Sequence, residues 1–235
     1  MSLNSVISSI ASIFKGAPVA QPVPQPLEAR VEALILDFNN SHVLITHTNP
    51  IKGSTVHRIG PAAADEIAKY VVASATDEVP VPYLLASIAI ESDFDPDAEM
   101  RNLGPGGSNP QDDPLGFDEG ACQEKERYLL GQKGVTDSAS ALAYADDPSR
   151  AIPHMADLLA TKIEDAGRII AAGLPASADP LWSNPYCLAA AEYNFGANGG
   201  AKLAHSGAPI PGHCTTVKTF EQRFAAQLGL PSVFA

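Results

Sequence analysis

Residues 81–98 read VPYLLASIAIESDFDPDA, an apolar segment that ends in a run of carboxylates. Pro82 suits the first turn of a helix, because its φ is fixed near the helical value and the N–H that it lacks would be unpaired there. Residues 83–92 are apolar on nearly every side, which predicts a helix buried in a core. Turn formers then dominate residues 94–120, and a loop of this length within a compact domain usually carries function.

Glu91 is the residue of this segment that points to chemistry. At helical spacing it shares one face with Leu84 and Ile88. A charged carboxylate on a buried face is poorly solvated, so we expect the pKa of this group to rise and the group to keep its proton near neutral pH. A general acid in a sugar-cleaving site needs that property. The competing interpretation is a carboxylate at a helix end that simply reaches solvent.

Three aspartates follow at alternate positions, Asp93, Asp95 and Asp97, and we expect them to be solvent-facing loop acids. The cluster lacks the glycine and the closing glutamate that an EF-hand calcium loop requires. The six histidines are scattered without a paired pattern, so the sequence supports no metal site and implies no cofactor.

The chain as a whole predicts a mainly α fold in three parts. Residues 1–26 form a flexible tail with a Pro-rich linker over 16–26. Residues 27–60 form an N-terminal extension with a helix over 26–38 and a short strand over 42–48, and residues 61–235 form the main helical domain. Its helices are expected over 61–75, 83–92 and 119–130, from about 149 onward, over 184–196 with Asn184 as the N-cap, and over 216–228.

The tail has a second interpretation, because residues 3–14 place apolar side chains at helical spacing. Such a helix would dock onto a virion or secretion-complex partner, or lie on a membrane surface. Isolated helices this short are barely stable, so a frayed tail is favoured.

Composition opposes several classes of partner. The net charge of −12 argues against nucleic acid and against adhesion to anionic membranes. No apolar run is long enough to span a bilayer. The N-terminus lacks the basic start of a secretory signal, so action outside the cytoplasm is expected to depend on a phage particle, a holin or a secretion machine.

The three cysteines, Cys122, Cys187 and Cys214, show no tight spacing. An odd count of this kind favours reduced thiols buried in the core, and the alternative is one bridge from Cys122 or Cys187 to Cys214. No Cys-x-x-Cys pair supports a zinc site. Trp182 is expected to be a buried anchor before the helix of residues 184–196 rather than a sugar-stacking ring.

Two motifs resemble those of the transglycosylase SLT domain, a family related to goose-type lysozyme. The first is Glu-Ser followed by Phe-x-Pro-x-Ala at the end of an apolar helix, and it falls on residues 91–98. The second is Ala-Tyr-Asn-x-Gly, with Glu192 in place of the usual alanine, then Tyr193, Asn194 and Gly196. Between them, DDPSRAIPHMADLLATKI (146–163) is similar to the family's Leu-rich helix. The resemblance covers about residues 61–228 and implies a lysozyme-like helical domain with a substrate cleft.

The family's middle motif is Gly-Leu-Met-Gln or Gly-Pro-Phe-Gln, and we align it with residues 113–116. This alignment leaves Gly116 where the family has a glutamine that holds substrate. Asn109 or Gln111, in the preceding stretch, are candidates to replace that glutamine.

The resemblance implies a phage-associated lytic transglycosylase that acts on peptidoglycan glycan strands in the periplasm or cell wall. Glu91 would protonate the oxygen between MurNAc and GlcNAc, and would then take the proton of the C6 hydroxyl as a 1,6-anhydro ring closes. Tyr193 would lie beside Glu91, Asn194 would tie the following turn, and Gly196 would cap the helix in the αL conformation. Ser92 and Gly116 complete the expected substrate-binding set.

Two alternatives share this fold. In a goose-type muramidase a water would attack instead, placed by a second carboxylate such as Asp93, Asp95, Asp97, Asp112 or Asp113. In a structural virion protein Glu91 would have no catalytic role. A cargo-carrying or peptide-binding helical domain has no supporting motif.

Overall fold

The computed structural model describes residues 25–42, 58–101, 117–119, 121–125, 129–130 and 132–235. Within these residues the fold is mainly α, as predicted. The helices are α1 Leu27–Ser41, α2 Pro61–Ser74, α3 Val81–Ser92, α4 Ser138–Ala145, α5 Pro148–Ala172, α6 Pro185–Phe195, α7 Ala197–His205 and α8 Gly212–Leu228. Three short strands, β1 Glu99–Arg101, β2 Phe117–Glu119 and β3 Glu124–Lys125, pair antiparallel in that order.

Helix α3 lies in the core. Every residue from Val81 to Ala89 is buried, and Pro82 occupies the first turn. The predicted buried helix is therefore confirmed. The helix packs against α8 and α2, and it ends at Asp93, whose φ of 54° lies in the left-handed region.

An aromatic cluster joins α1, the turn after α3, and α8. The ring of Phe38 meets those of Phe94, Phe220 and Phe224 edge-on, with centroids 5.5, 5.2 and 5.5 Å away. Edge-to-face pairs of this kind contribute roughly 0.5–1.5 kcal/mol each beyond the area that they bury. Helix α1 therefore shares one hydrophobic core with α3 and α8, while the division of the chain at residue 60 stays a prediction.

The second half of the core follows the expected patterns. Helix α5 begins within one residue of its predicted start and buries one face at Ile152, Ala156 and Leu159. The Asn184 side chain caps α6 by accepting the N–H groups of residues 186 and 187, which confirms the predicted N-cap. Trp182 is fully buried and donates its ring N–H to the Ala208 carbonyl at 2.9 Å, so its role as an anchor is also confirmed.

The favoured prediction of three reduced thiols is wrong, and the alternative of one bridge to Cys214 is confirmed. Cys187 and Cys214 form a disulfide, and Cys122 is buried outside the bridge. The bridge joins the first turns of α6 and α8, whose cysteines are 27 residues apart in the chain. Spacing along the sequence does not show that two distant helices begin side by side, so the pair carries no short-range signature.

Other elements also differ from the sequence predictions. The helix expected over 119–130 is wrong, because the end of β2, a turn at residues 121–123 and β3 occupy its first half. Strand β2 pairs with β1 on one side and with β3 on the other. Helices α4 and α7 were not predicted, and α8 begins at Gly212, one turn before the expected start. The strand over 42–48 and the tail of residues 3–14 lie outside the described residues, except for His42. Among the described helices, none has the length and hydropathy needed to cross a bilayer.

Removing the disulfide is expected to destabilise the fold. Because the bridge closes a loop with a separation of 27 residues, its loss as the double variant Cys187→Ala/Cys214→Ala should cost about 3–4 kcal/mol by the chain-entropy model. The measurement is thermal unfolding, in which a drop of roughly 10 °C is expected. Reductant should lower the Tm of the wild type and leave that of the double variant unchanged. A wild-type Tm that does not respond to reductant would contradict the bridge.

Candidate functional site

Glu91 lies in the last turn of α3, where the buried helix meets the surface. Its side chain is 15% exposed. Glu91 is therefore partly buried: it follows the buried residues 81–89 but keeps some exposure to solvent. This places its carboxyl group at the boundary between the core and the surface.

The ring of His213 lies against Glu91, and sequence reasoning had given this histidine no role. Nε2 of His213 is 3.6 Å from Oε1 of Glu91, and the His213 side chain is 13% exposed. Burial lowers the pKa of His213 to about 4, so the ring is neutral at neutral pH. A neutral ring brings no positive charge that would favour the carboxylate form of Glu91.

The turn at residues 121–123 accepts hydrogen bonds from Ser92 and Tyr193, one residue from each of the two motifs. Oγ of Ser92 donates to the Ala121 carbonyl at 2.6 Å, and the Tyr193 hydroxyl donates to the Cys122 carbonyl at 2.8 Å. Residues from the two resembling motifs therefore hold consecutive carbonyls of one turn. This turn therefore links α6 at Tyr193 to the end of α3 at Ser92, while the contact between Tyr193 and Glu91 stays a prediction.

Gln123 completes the same turn and was missed by sequence reasoning. It is buried, has a φ of 49°, and donates its side-chain N–H to the Ala98 carbonyl at 3.0 Å. The alignment of the middle motif with residues 113–116 stays a prediction, and Gly116 itself lies outside the described residues.

The aspartates after Glu91 are mostly not solvent-facing, so that prediction is wrong for Asp93 and Asp95, which are 3% and 5% exposed. Asp97 is exposed, as expected. The backbone carbonyl of Asp93 accepts from Asn39 at 3.3 Å, and Oδ1 of Asp95 accepts the Asp97 N–H at 3.0 Å. The reason is a tight turn with positive φ at residues 93 and 94, which folds the chain back beneath α1.

The end of α6 departs from the predicted details. Asn194 is exposed on the last turn. Gly196 ends the helix with a φ of 78°, but its ψ of 160° is extended, so the predicted αL cap is wrong. A positive φ at this position still favours glycine.

Glu192 stands next to Tyr193 but faces the interior between α5 and α7. It is 1% exposed, and its Oε2 has no hydrogen-bond partner among the described residues. Burial raises the pKa of Glu192 to about 7, an effect that the nearby Lys162 ammonium partly opposes. Gly200 makes room for this side chain, since a Cβ there would lie 2.7 Å from Cγ of Glu192.

Two surface pockets lie elsewhere. One, of about 510 Å³, is lined by α7 residues and Phe195; the other, of about 340 Å³, is lined by Tyr144, Arg150 and their neighbours. Neither is lined by Glu91. In the part of the chain that the structure describes, no three His, Cys, Asp or Glu side chains are grouped to hold a metal ion.

Comparisons with protein-family models, with curated proteins and with solved structures found no match to this chain. The functional assignment therefore rests on the residues themselves and on their geometry.

Ser92 and Tyr193 should be energetically coupled, because both hold the 121–123 turn. Ser92→Ala and Tyr193→Phe each remove one hydroxyl donor and should each cost about 1–2 kcal/mol in the free energy of unfolding. The double variant should lose less than the sum of the two, because the turn is already released in either single variant. Urea denaturation measures this cycle, and strict additivity would contradict the shared turn.

Glu192 should make stability depend on pH. Because its pKa is raised from 4.5 to about 7 in the folded protein, the unfolded chain releases this proton first as pH rises. Stability should therefore fall between pH 4.5 and about 7, by roughly 3 kcal/mol for this group alone. Glu192→Gln should flatten that part of the profile, measured as the difference in unfolding free energy between variant and wild type. An identical slope in both proteins would show that Glu192 is charged in the folded state.

Proposed function

We propose that this chain is a lytic transglycosylase that cleaves the MurNAc–GlcNAc bond of peptidoglycan. Glu91 acts as the general acid and then as the general base. The observation that supports this proposal is the position of Glu91, 15% exposed near the end of a helix that is buried from Val81 to Ala89, with a neutral ring beside it. The motif resemblance supplies the substrate class.

The proposed reaction needs one carboxyl group. Protonated Glu91 gives its proton to the bridging oxygen, which leaves with the bonding pair as the C1–O bond breaks. The substrate's own acetamido oxygen assists the positive charge that develops at C1, in place of the second carboxylate of ordinary glycosidases. The C6 hydroxyl then attacks C1, and Glu91 takes the hydroxyl proton. Bond and proton counts balance without water, and the product is a 1,6-anhydro sugar.

Two of the five aspartates considered for a hydrolytic mechanism are poorly placed for it. A muramidase of the goose type would need a second carboxylate to place the attacking water. Asp93 and Asp95 are buried in the turn beneath α1, which removes two of the candidates. Asp97 is exposed, and Asp112 and Asp113 lie outside the described residues.

The proposed setting is the periplasm or cell wall, reached with a virion, a holin or a secretion system. The Cys187–Cys214 disulfide supports an oxidising compartment, because such bridges persist outside the reducing cytosol. The partner there is the glycan strand itself.

The test replaces Glu91 by Gln, which keeps the shape and removes the acid, with Glu66→Gln, the same change at an exposed position of α2, as a matched control. Glu91→Gln should lower clearance of purified peptidoglycan by about 10²–10⁴-fold, and the control should clear like the wild type. Mass spectrometry of the products in H₂¹⁸O should show anhydro ends without ¹⁸O.

Three results would contradict the proposal in different ways. Equal clearance by Glu91→Gln would show that another group is the acid. Reducing ends that carry ¹⁸O would identify a muramidase. No clearance by the wild type would favour the structural virion protein.

A further inference from the structure

We propose that His213 is the positioning residue of Glu91: its Nε2–H donates to Oε1 and leaves Oε2 to carry the proton that substrate receives. This inference rests on the proposed function and adds a residue that the family motifs do not contain. It assigns His213 no contact with substrate.

The geometry places one ring nitrogen against one carboxyl oxygen. Nε2 and Oε1 are 3.6 Å apart, a few tenths of an ångström beyond a hydrogen bond. Contacts in catalytic sites are often long before substrate binds and shorten in the complex. Both side chains are mostly enclosed, at 13% and 15% exposure, so little water competes for the pair.

The neutral state of the ring suits this task. A charged imidazolium at this distance would strongly favour the carboxylate form of Glu91, which would then have no proton to give. A neutral N–H donor also holds one oxygen of the carboxyl group in place, but it favours the carboxylate form of Glu91 less strongly. Among the described residues, Glu91 is the charged group paired with this ring, whereas Glu221 and Arg223 belong to later turns of α8.

The fold leaves His213 little freedom. Its neighbour Cys214 is bridged to Cys187, so the first turn of α8 is tied covalently to α6. Farther along α8, Phe224 packs into the aromatic cluster under α1. Helix α8 also packs along α3, so both members of the pair lie on helices fixed to each other.

The experiment compares two variants of the full chain by kcat and KM on soluble glycan strands across pH. His213→Leu keeps the bulk and removes the donor, whereas His213→Gln keeps a side-chain N–H. We expect His213→Leu to lower kcat by about 10–100-fold with KM nearly unchanged, the worth of one donor to a charged group. The alkaline limb of its pH–rate profile should move to higher pH, because a hydrogen bond to the carboxylate is lost. His213→Gln should restore kcat to within a few fold of the wild type and return the limb to its place.

A second measurement uses the wild type alone and does not depend on how the variants fold. The ¹⁵N shifts of the His213 ring should show a neutral ring at pH 7 with its proton on Nε2. A bare Nε2, or a protonated ring at that pH, would overturn the inference.

The outcomes separate this inference from the proposed function. If His213→Leu keeps the wild-type kcat and pH profile while Glu91→Gln is inactive, the role of His213 is overturned but the proposed function is not. Equal loss in His213→Leu and His213→Gln would also overturn it, because the shape of the ring, not its N–H, would then matter. Full activity in Glu91→Gln would overturn the proposed function itself.

Discussion

Helix α3 is enclosed by the other helices of the fold, and this enclosure determines where Glu91 lies. A segment that is apolar on every side cannot lie on a surface, so other elements must surround it. Its last turn is where the apolar run stops, and Glu91 is fixed at that boundary. The carboxyl group is thereby held by a rigid helix on the edge of the core, a position that neither a loop nor an exposed helix would provide.

The surrounding elements contact the end of α3 and the Glu91 side chain in different ways. Helix α1 covers the turn after Glu91, through Phe38 on Phe94 and Asn39 on the Asp93 carbonyl. Helix α8 brings a neutral ring to the carboxyl group, and the disulfide ties its first turn to α6. The turn at residues 121–123 joins α3 to α6 through two hydroxyl donors. Although the chain has a net charge of −12, His213, the residue of α8 that lies against Glu91, is uncharged at neutral pH.

Much of the helical fold could be predicted from local signals. The apolar run of residues 83–92 predicted α3, and the Asn-Pro pair at residues 184–185 predicted the start of α6. The start of α5 near residue 149 was also predicted. The partner of Glu91 could not be predicted, because His213 lies on a helix far along the chain and only packing brings it near. The disulfide was only an alternative for the same reason. The burial of Asp93 and Asp95 was missed because two consecutive residues with positive φ fold the chain inward, and although Asp is enriched in that region, Phe is not.

The chemistry requires that Glu91 hold its proton at the pH at which the wall is cut. The most direct measurement is a ¹³C NMR titration of the Glu91 side-chain carboxyl carbon in the wild type, without substrate. We expect a midpoint well above the value of about 4.3 for a glutamate in water. A midpoint at that ordinary value would show a carboxylate that is charged at neutral pH, and the assignment of Glu91 as the acid would be contradicted.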